Sequence, residues 1–158
     1  MEYTTRGKGF SLLELLIVVA VILIIAAIAI PNLLRSKISA NEASAVGSLR
    51  TLNSACVNYS TIWGIGFPVG LANLGPAKSA TASSADLIDS LLAGGTKSGY
   101  AFIYVAGAPS GGKVSTYSIS ANPVAFNRTG TRYFFSDQTG VIRFSRIGTA
   151  TTSSTPIS

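Results

Sequence analysis

The sequence predicts an α+β fold: a long N-terminal α-helix, apolar in its first half and amphipathic in its second, packed under a small head with a four-stranded antiparallel sheet. Three observations carry this expectation. From Phe10 to Ile30 the only polar side chains are Ser11 and Glu14. From Leu34 to Trp63 the apolar residues recur at helical spacing along one side only. After Gly99 the period changes to two, with Tyr100, Phe102 and Tyr104 alternating with Ala101, Ile103 and Val105; alternation of that kind belongs to strands.

The apolar run comes first. A helix of its length reaches about 30 Å, the thickness of a bilayer's hydrocarbon core, so it can span a membrane. Arg6 and Lys8 precede it, opposed only by Glu2. The positive-inside rule then places Met1 to Gly9 in the cytoplasm and the rest of the chain across the membrane. Arg35 and Lys37 flank the other end and blunt that asymmetry.

Pro31 removes one helical hydrogen bond and presses on the carbonyl of Ala27, so a kink is expected there. Beyond it Leu34, Ile38, Ala45, Leu49, Leu52, Cys56, Tyr59 and Trp63 form a stripe at steps of four, seven, four, three, four, three and four. Arg35, Glu42, Arg50 and Asn58 are expected off that stripe. One helix of roughly 80 Å could run from Phe10 to about Ile62. Cys56 lies on the inward stripe and reads as a small buried hydrophobe. Gly47 is expected to mark close packing or a flexible point.

The stretch from Trp63 to Ser84 is rich in glycine and proline and reads as a loop. In SSADLIDSLLAGG, Ser83 or Ser84 is expected to cap a short helix with Asp86 in its first turn and Gly94-Gly95 as its stop. Strands are expected from Tyr100, from Lys113 and on both sides of the turn Asp137–Gly140. The tail, GTATTSSTPIS, reads as short, polar and frayed. The expected segments are therefore 1–9, 10–31, 32–63, a head over 64–147 and a flexible tail over 148–158.

Composition limits the chemistry. Of 158 residues, 47% are hydrophobic and only 11% charged, and there is no histidine and one cysteine. Those two facts argue against zinc clusters, Ser-His-Asp triads and an intrachain disulfide. Asp86 and Asp89 read as a solvated first turn rather than a catalytic pair. The net charge of +6 could favour acidic partners, but no two of the twelve basic residues are adjacent. No specific nucleic-acid groove is expected. The aromatic residues read as sheet core, and the sequons at Asn58 and Asn127 permit glycosylation without predicting it.

Three readings compete for residues 1–31. A secretory signal with a small-x-small site at Ala27-Ile28-Ala29 has no use for Glu14. A plain anchor does not either, since a carboxylate inside a membrane costs a few kcal/mol unless it is paired or near the interface. The third reading rests on the quoted residues, RGKG followed by FSLLELLIVVAVILIIAAIAIPNLLRSK. They resemble the N-terminus of type IV pilins and of their relatives, the type II secretion pseudopilins.

The resemblance implies cleavage after Gly9 by a prepilin peptidase, which also acts as the methyltransferase for the new N-terminal residue, Phe10. It makes Glu14 the assembly residue, pairing with the cationic amine of Phe10, and Pro31 the helix kink. It covers about residues 6–60; the head is matched only in general layout. Two family features are not seen: Cys56 cannot form the C-terminal disulfide of many pilins, and only Asp137 among the acids follows Asp89, too few for a carboxylate-rich calcium site.

The expected function is therefore a structural subunit, not an enzyme, with no cofactor. Before assembly it is expected in a bacterial inner membrane, and afterwards in an extracellular pilus serving motility, adhesion, DNA uptake or secretion. The implied partners are copies of itself, minor pilins, the processing enzyme, and an inner-membrane platform with a separate ATPase; no P-loop pattern occurs in the chain. The alternatives are a type II secretion pseudopilin in a periplasmic filament and, more distantly, an exported binding or enzymatic domain behind a cleaved signal.

Overall fold

A computed structural model of the chain describes residues 9–157. The expected leader, including Arg6 and Lys8, lies outside the described residues except for Gly9. The chain divides into two units, one ending at Ser36 and one beginning at Lys37. Helix α1, Leu12–Trp63, contributes to both and continues through Pro31. In the first unit the helix stands alone: no residue of its most apolar stretch is buried within the chain. Many of those side chains are β-branched, and nothing in their own chain covers them.

The second unit holds the rest of α1, a 3₁₀ turn at Leu71–Leu74, a short helix α2 (Ser90–Ala93) and one antiparallel sheet. The sheet has six strands rather than the four expected. In spatial and chain order they are β1 (Thr96–Lys97), β2 (Tyr100–Ala106), β3 (Tyr117–Pro123), β4 (Tyr133–Asp137), β5 (Arg143–Ser145) and β6 (Thr155–Pro156). The expected strands are β2 to β5. The two added at the edges are two residues long, too short to show a period in the sequence. Strand β3 begins at Tyr117, four residues later than the sequence suggested, because Ser110 and Lys113 pair with each other in the connection.

The tail is a correction with a physical reason. Thr155 and Pro156 pair with Phe144 and Arg143, the Ile157 N–H donates to the Ile142 carbonyl at 2.8 Å, and Ala150 is buried. Apolar residues spaced through a polar segment were enough to dock it. The second short helix is also shorter than expected. Asp86 adopts a positive φ of 53°, outside helical space, and the N–H groups of Ala85 and Leu87 donate to Asn73 and Leu74. The cap is Asp89, whose Oδ1 accepts from the Leu91 and Leu92 N–H groups. Tertiary backbone bonds hold residues 85–88 in a bent, non-helical path, and the helix starts only where they end.

The sheet's inner face covers the stripe of α1. Ala45, Leu49, Leu52, Cys56 and Tyr59 are buried against Tyr100, Phe102, Ile119, Ala121 and Phe134, and Tyr104 stacks on Tyr117. Glu42 is the exception to the expected pattern: it is buried. It fills the seven-residue gap between Ile38 and Ala45 in the stripe. Its Oε1 accepts from the Thr131 N–H and Oγ1, both at 2.8 Å, and from the Arg132 N–H at 3.2 Å; its Oε2 accepts from Arg132 Nε at 2.7 Å. Deeper in the core, Asn53 donates to Ser136 Oγ and accepts from the Tyr117 hydroxyl. Buried polar groups with every partner in place fix which face of the helix meets the sheet.

Gly47 does not mark close packing within the chain, because a side chain there would meet nothing within 4 Å. Cys56 is a free thiol inside the core, and burial pushes it up to about 12. Thiolate is the reacting form, so Cys56 is expected to resist alkylation in the folded chain at pH 8 and to react fully in denaturant. Mass shifts after maleimide treatment in the two conditions check this; rapid labelling of the folded chain would contradict the packing described.

Candidate functional site

The N-terminal end of α1 is built from four residues. Gly9, Phe10 and Ser11 precede the helix, and all three are exposed. Ser11 is the cap: its Oγ accepts from the Glu14 N–H at 3.1 Å, while Glu14 Oε2 accepts from the Ser11 N–H at 2.9 Å. This reciprocal pair satisfies two backbone donors that a helix start otherwise leaves without partners. It also points the carboxylate back along the helix toward Phe10, the direction in which the Cα–Cβ bonds of a helix already lean. A negative charge at this end interacts favourably with the helix dipole.

Two consequences follow for the expected site. The peptide bond between Gly9 and Phe10 lies outside the helix, in irregular backbone. Glu14 Oε1 makes no hydrogen bond among the described residues, so the carboxylate keeps acceptor capacity for a cation arriving at the helix end. Around it Leu12, Leu13, Leu15 and Leu16 are all exposed, an apolar collar in which an arriving charge would find no other partner. Pro31 lies well along the same helix and takes no part in this arrangement.

The prokaryotic N-terminal methylation motif matches residues 5–30, a span that contains Gly9, Phe10, Ser11 and Glu14. The chain is 43% identical over 54 residues to the type IV major pilin protein PilA of Myxococcus xanthus, covering 34% of this chain and 24% of that protein. It is 57% identical over 37 residues to the type IV wide pilus major component PilA4 of Thermus thermophilus, covering 23% and 28%. It is 34% identical over 59 residues to the type II secretion system core protein G of Escherichia coli, covering 37% and 41%.

The N-terminal third of the chain is similar to type IV pilins and to a type II secretion protein.

The match spans less than half the length of each of these relatives, and no solved structure matches the chain. The long helix with an antiparallel sheet on its second half is the pilin-like α+β layout that the sequence suggested. Among the described residues no group of three or more His, Cys, Asp or Glu side chains could hold a metal ion. Sequence reasoning named Gly9, Phe10 and Glu14, which lie together at the helix start, but missed the capping part played by Ser11. The signal was present: serine followed three residues later by glutamate, at the head of an apolar run, is the sequence form of a capping box.

Proposed function

We propose that this chain is the structural subunit of a type IV pilus-like filament, inserted in a bacterial inner membrane with its N-terminus in the cytoplasm, cleaved after Gly9 and methylated on Phe10. The observation that carries the reading is the first half of α1, a fully apolar helix without cover in its own chain and with a single carboxylate held at its N-terminal end. A bilayer covers such a surface before assembly, and the same surface of neighbouring copies covers it afterwards. Cleavage would create an amine at Phe10, and in a low-dielectric bundle a paired charge is tolerated where an unpaired one is not. Glu14 supplies the pairing. Pro31 loosens the helix at one point, where a bend would let the apolar half and the head-bearing half take separate paths. A separate ATPase drives assembly on a membrane platform, with minor pilins as further partners.

The second reading, a pseudopilin of a type II secretion system, is favoured by one observation: of the three relatives given, the secretion protein is the one covered over the largest share of its length, 41%. Mass spectrometry of the mature N-terminus in membranes and in sheared surface material tests both. Methylated Phe10 in both fractions is the expected result for a surface pilus, and methylated Phe10 in cells alone is expected for a periplasmic filament. A chain starting at Ile30 would mean a cleaved signal peptide and would overturn the filament reading.

A further inference from the structure

Strand β2 has an open edge. Phe102 and Tyr100 face β1, with the Phe102 N–H donating to the Gly95 carbonyl, while Ala101, Ile103 and Val105 alternate with them and face β3. Tyr104 and Ala106 continue the outward series, but β1 ends at Thr96, opposite Ala101, and only Gly95 reaches beyond it, to Phe102. Their N–H and C=O groups therefore point away from the sheet and make no hydrogen bond among the described residues. The outer face of the same strand is apolar where a solvated antiparallel sheet is normally polar: Ile103 is 53% and Val105 56% exposed. Natural edge strands are usually blunted by charge, proline or a bulge. Here the stretch from Ser98 to Val105 and on to Gly112 contains no charged residue, in a chain of net charge +6.

We propose that the β2 edge is a self-association surface, at which β2 pairs antiparallel with β2 of a second copy around a two-fold axis at Val105. In that register each copy's Tyr104 exchanges both backbone hydrogen bonds with the other copy's Ala106, which satisfies the open groups. The two Val105 residues face each other as a non-hydrogen-bonded pair, with Cα atoms about 4.5 Å apart and side chains in contact. A two-fold contact sets every charge near it against its own copy. For a basic chain the uncharged edge is a place where that meeting carries no repulsion, and this selects a second copy over a charged peptide as the occupant.

Such a contact is self-complementary and closes on itself, so it cannot repeat between successive subunits of one polar filament. It joins two filaments. Each contact is small, but a filament presents many in register, and many weak contacts in register hold together where one would not.

This inference rests on the filament reading, and the test separates the two. In the full chain a single cysteine is placed at Val105 or, for comparison, at Leu91, which is 64% exposed on α2; the native Cys56 is buried. Under mild oxidation, dimers are expected through position 105 at least about tenfold faster than through 91, because pairing holds the two thiols at high effective concentration. Val105→Lys, an exposed change that the fold tolerates, is expected to disperse bundled filaments without lowering their yield. Equal cross-linking rates at the two positions, or bundles unaffected by Val105→Lys, overturn the proposal. If the wild-type chain forms no filaments and carries no methylated Phe10, the filament reading fails instead. The cross-linking comparison on the detergent-solubilised chain then still decides the edge contact.

Discussion

Glu14→Ala is expected to leave the chain inserted in the membrane and cut after Gly9, and to lower filament yield by about two orders of magnitude when no wild-type copies are present. The size follows from the physics of an unpaired charge. Removing one partner of a buried ion pair costs ~3–5 kcal/mol, and ~1.4 kcal/mol is a factor of ten in an equilibrium. Glu14→Gln sharpens the test, because glutamine can keep the capping bond to the Ser11 N–H and lacks the charge. If capping alone were the role of Glu14, the glutamine variant would assemble like wild type. The expected outcome is that it fails nearly as badly as alanine. Yield of sheared filaments, measured beside the amount of processed subunit in membranes, reads both variants. Wild-type yield from Glu14→Ala would remove the charge-pairing account.

The second large effect is expected in the head. Glu42→Ala leaves the Thr131 N–H, the Thr131 hydroxyl, the Arg132 N–H and the Arg132 guanidinium without their shared acceptor. The Arg132 side chain is one-third exposed, so water recovers part of the loss. The expected cost is about 3 kcal/mol, toward the low end for breaking a buried pair, or roughly 10 °C in the melting temperature of a domain of this size. Thermal melts of the full chain in detergent, followed by near-ultraviolet circular dichroism, check it; a shift below 2 °C, on the order of 0.5 kcal/mol, would mean that the pair contributes little.

The same carboxylate makes a statement about pH. Burial alone would raise the Glu42 carboxyl, but the hydrogen bonds from Thr131 and Arg132, with the Arg132 charge, outweigh it and hold the group below its ordinary value of 4.5. A group depressed in the folded chain contributes its stability above the unfolded value and loses it as pH falls through the folded one. The difference in stability between the wild-type chain and Glu42→Gln is therefore expected to be constant at neutral pH and to shrink below about pH 4.5. Melts of the two chains across that range read it. A difference that grows on acidification would contradict the sign.

Much of this molecule is legible in the sequence because its physics is one-dimensional. A run of apolar residues long enough to cross a bilayer needs no tertiary information, and strand β2 announces itself by aromatic residues at every second position. Where the sequence was misread, a distant partner decided the outcome. Glu42 looks like a solvent-facing charge until Thr131 and Arg132 arrive to satisfy it, although its place in the gap of the stripe was a clue. Residues 83–89 carry the composition of a helix start, and backbone bonds to the 3₁₀ turn override it. Pairing partners, not local pattern, make β1 and β6 strands. At the start of α1 the residue types pointed to Gly9, Phe10 and Glu14 as candidates, while the capping part of Ser11 needed the geometry of two hydrogen bonds.

The docked C-terminal segment has a consequence for how the head is closed. Its last strand is held by pairing with β5 and by the Ile157 side chain against the core, with no covalent tie and only one cysteine in the chain. Closure is then a reversible local equilibrium, the first part of the head to open in hydrogen exchange. Reductants leave it untouched, and it needs no oxidising catalyst to form. The head therefore keeps the same closure in reducing and oxidising surroundings alike.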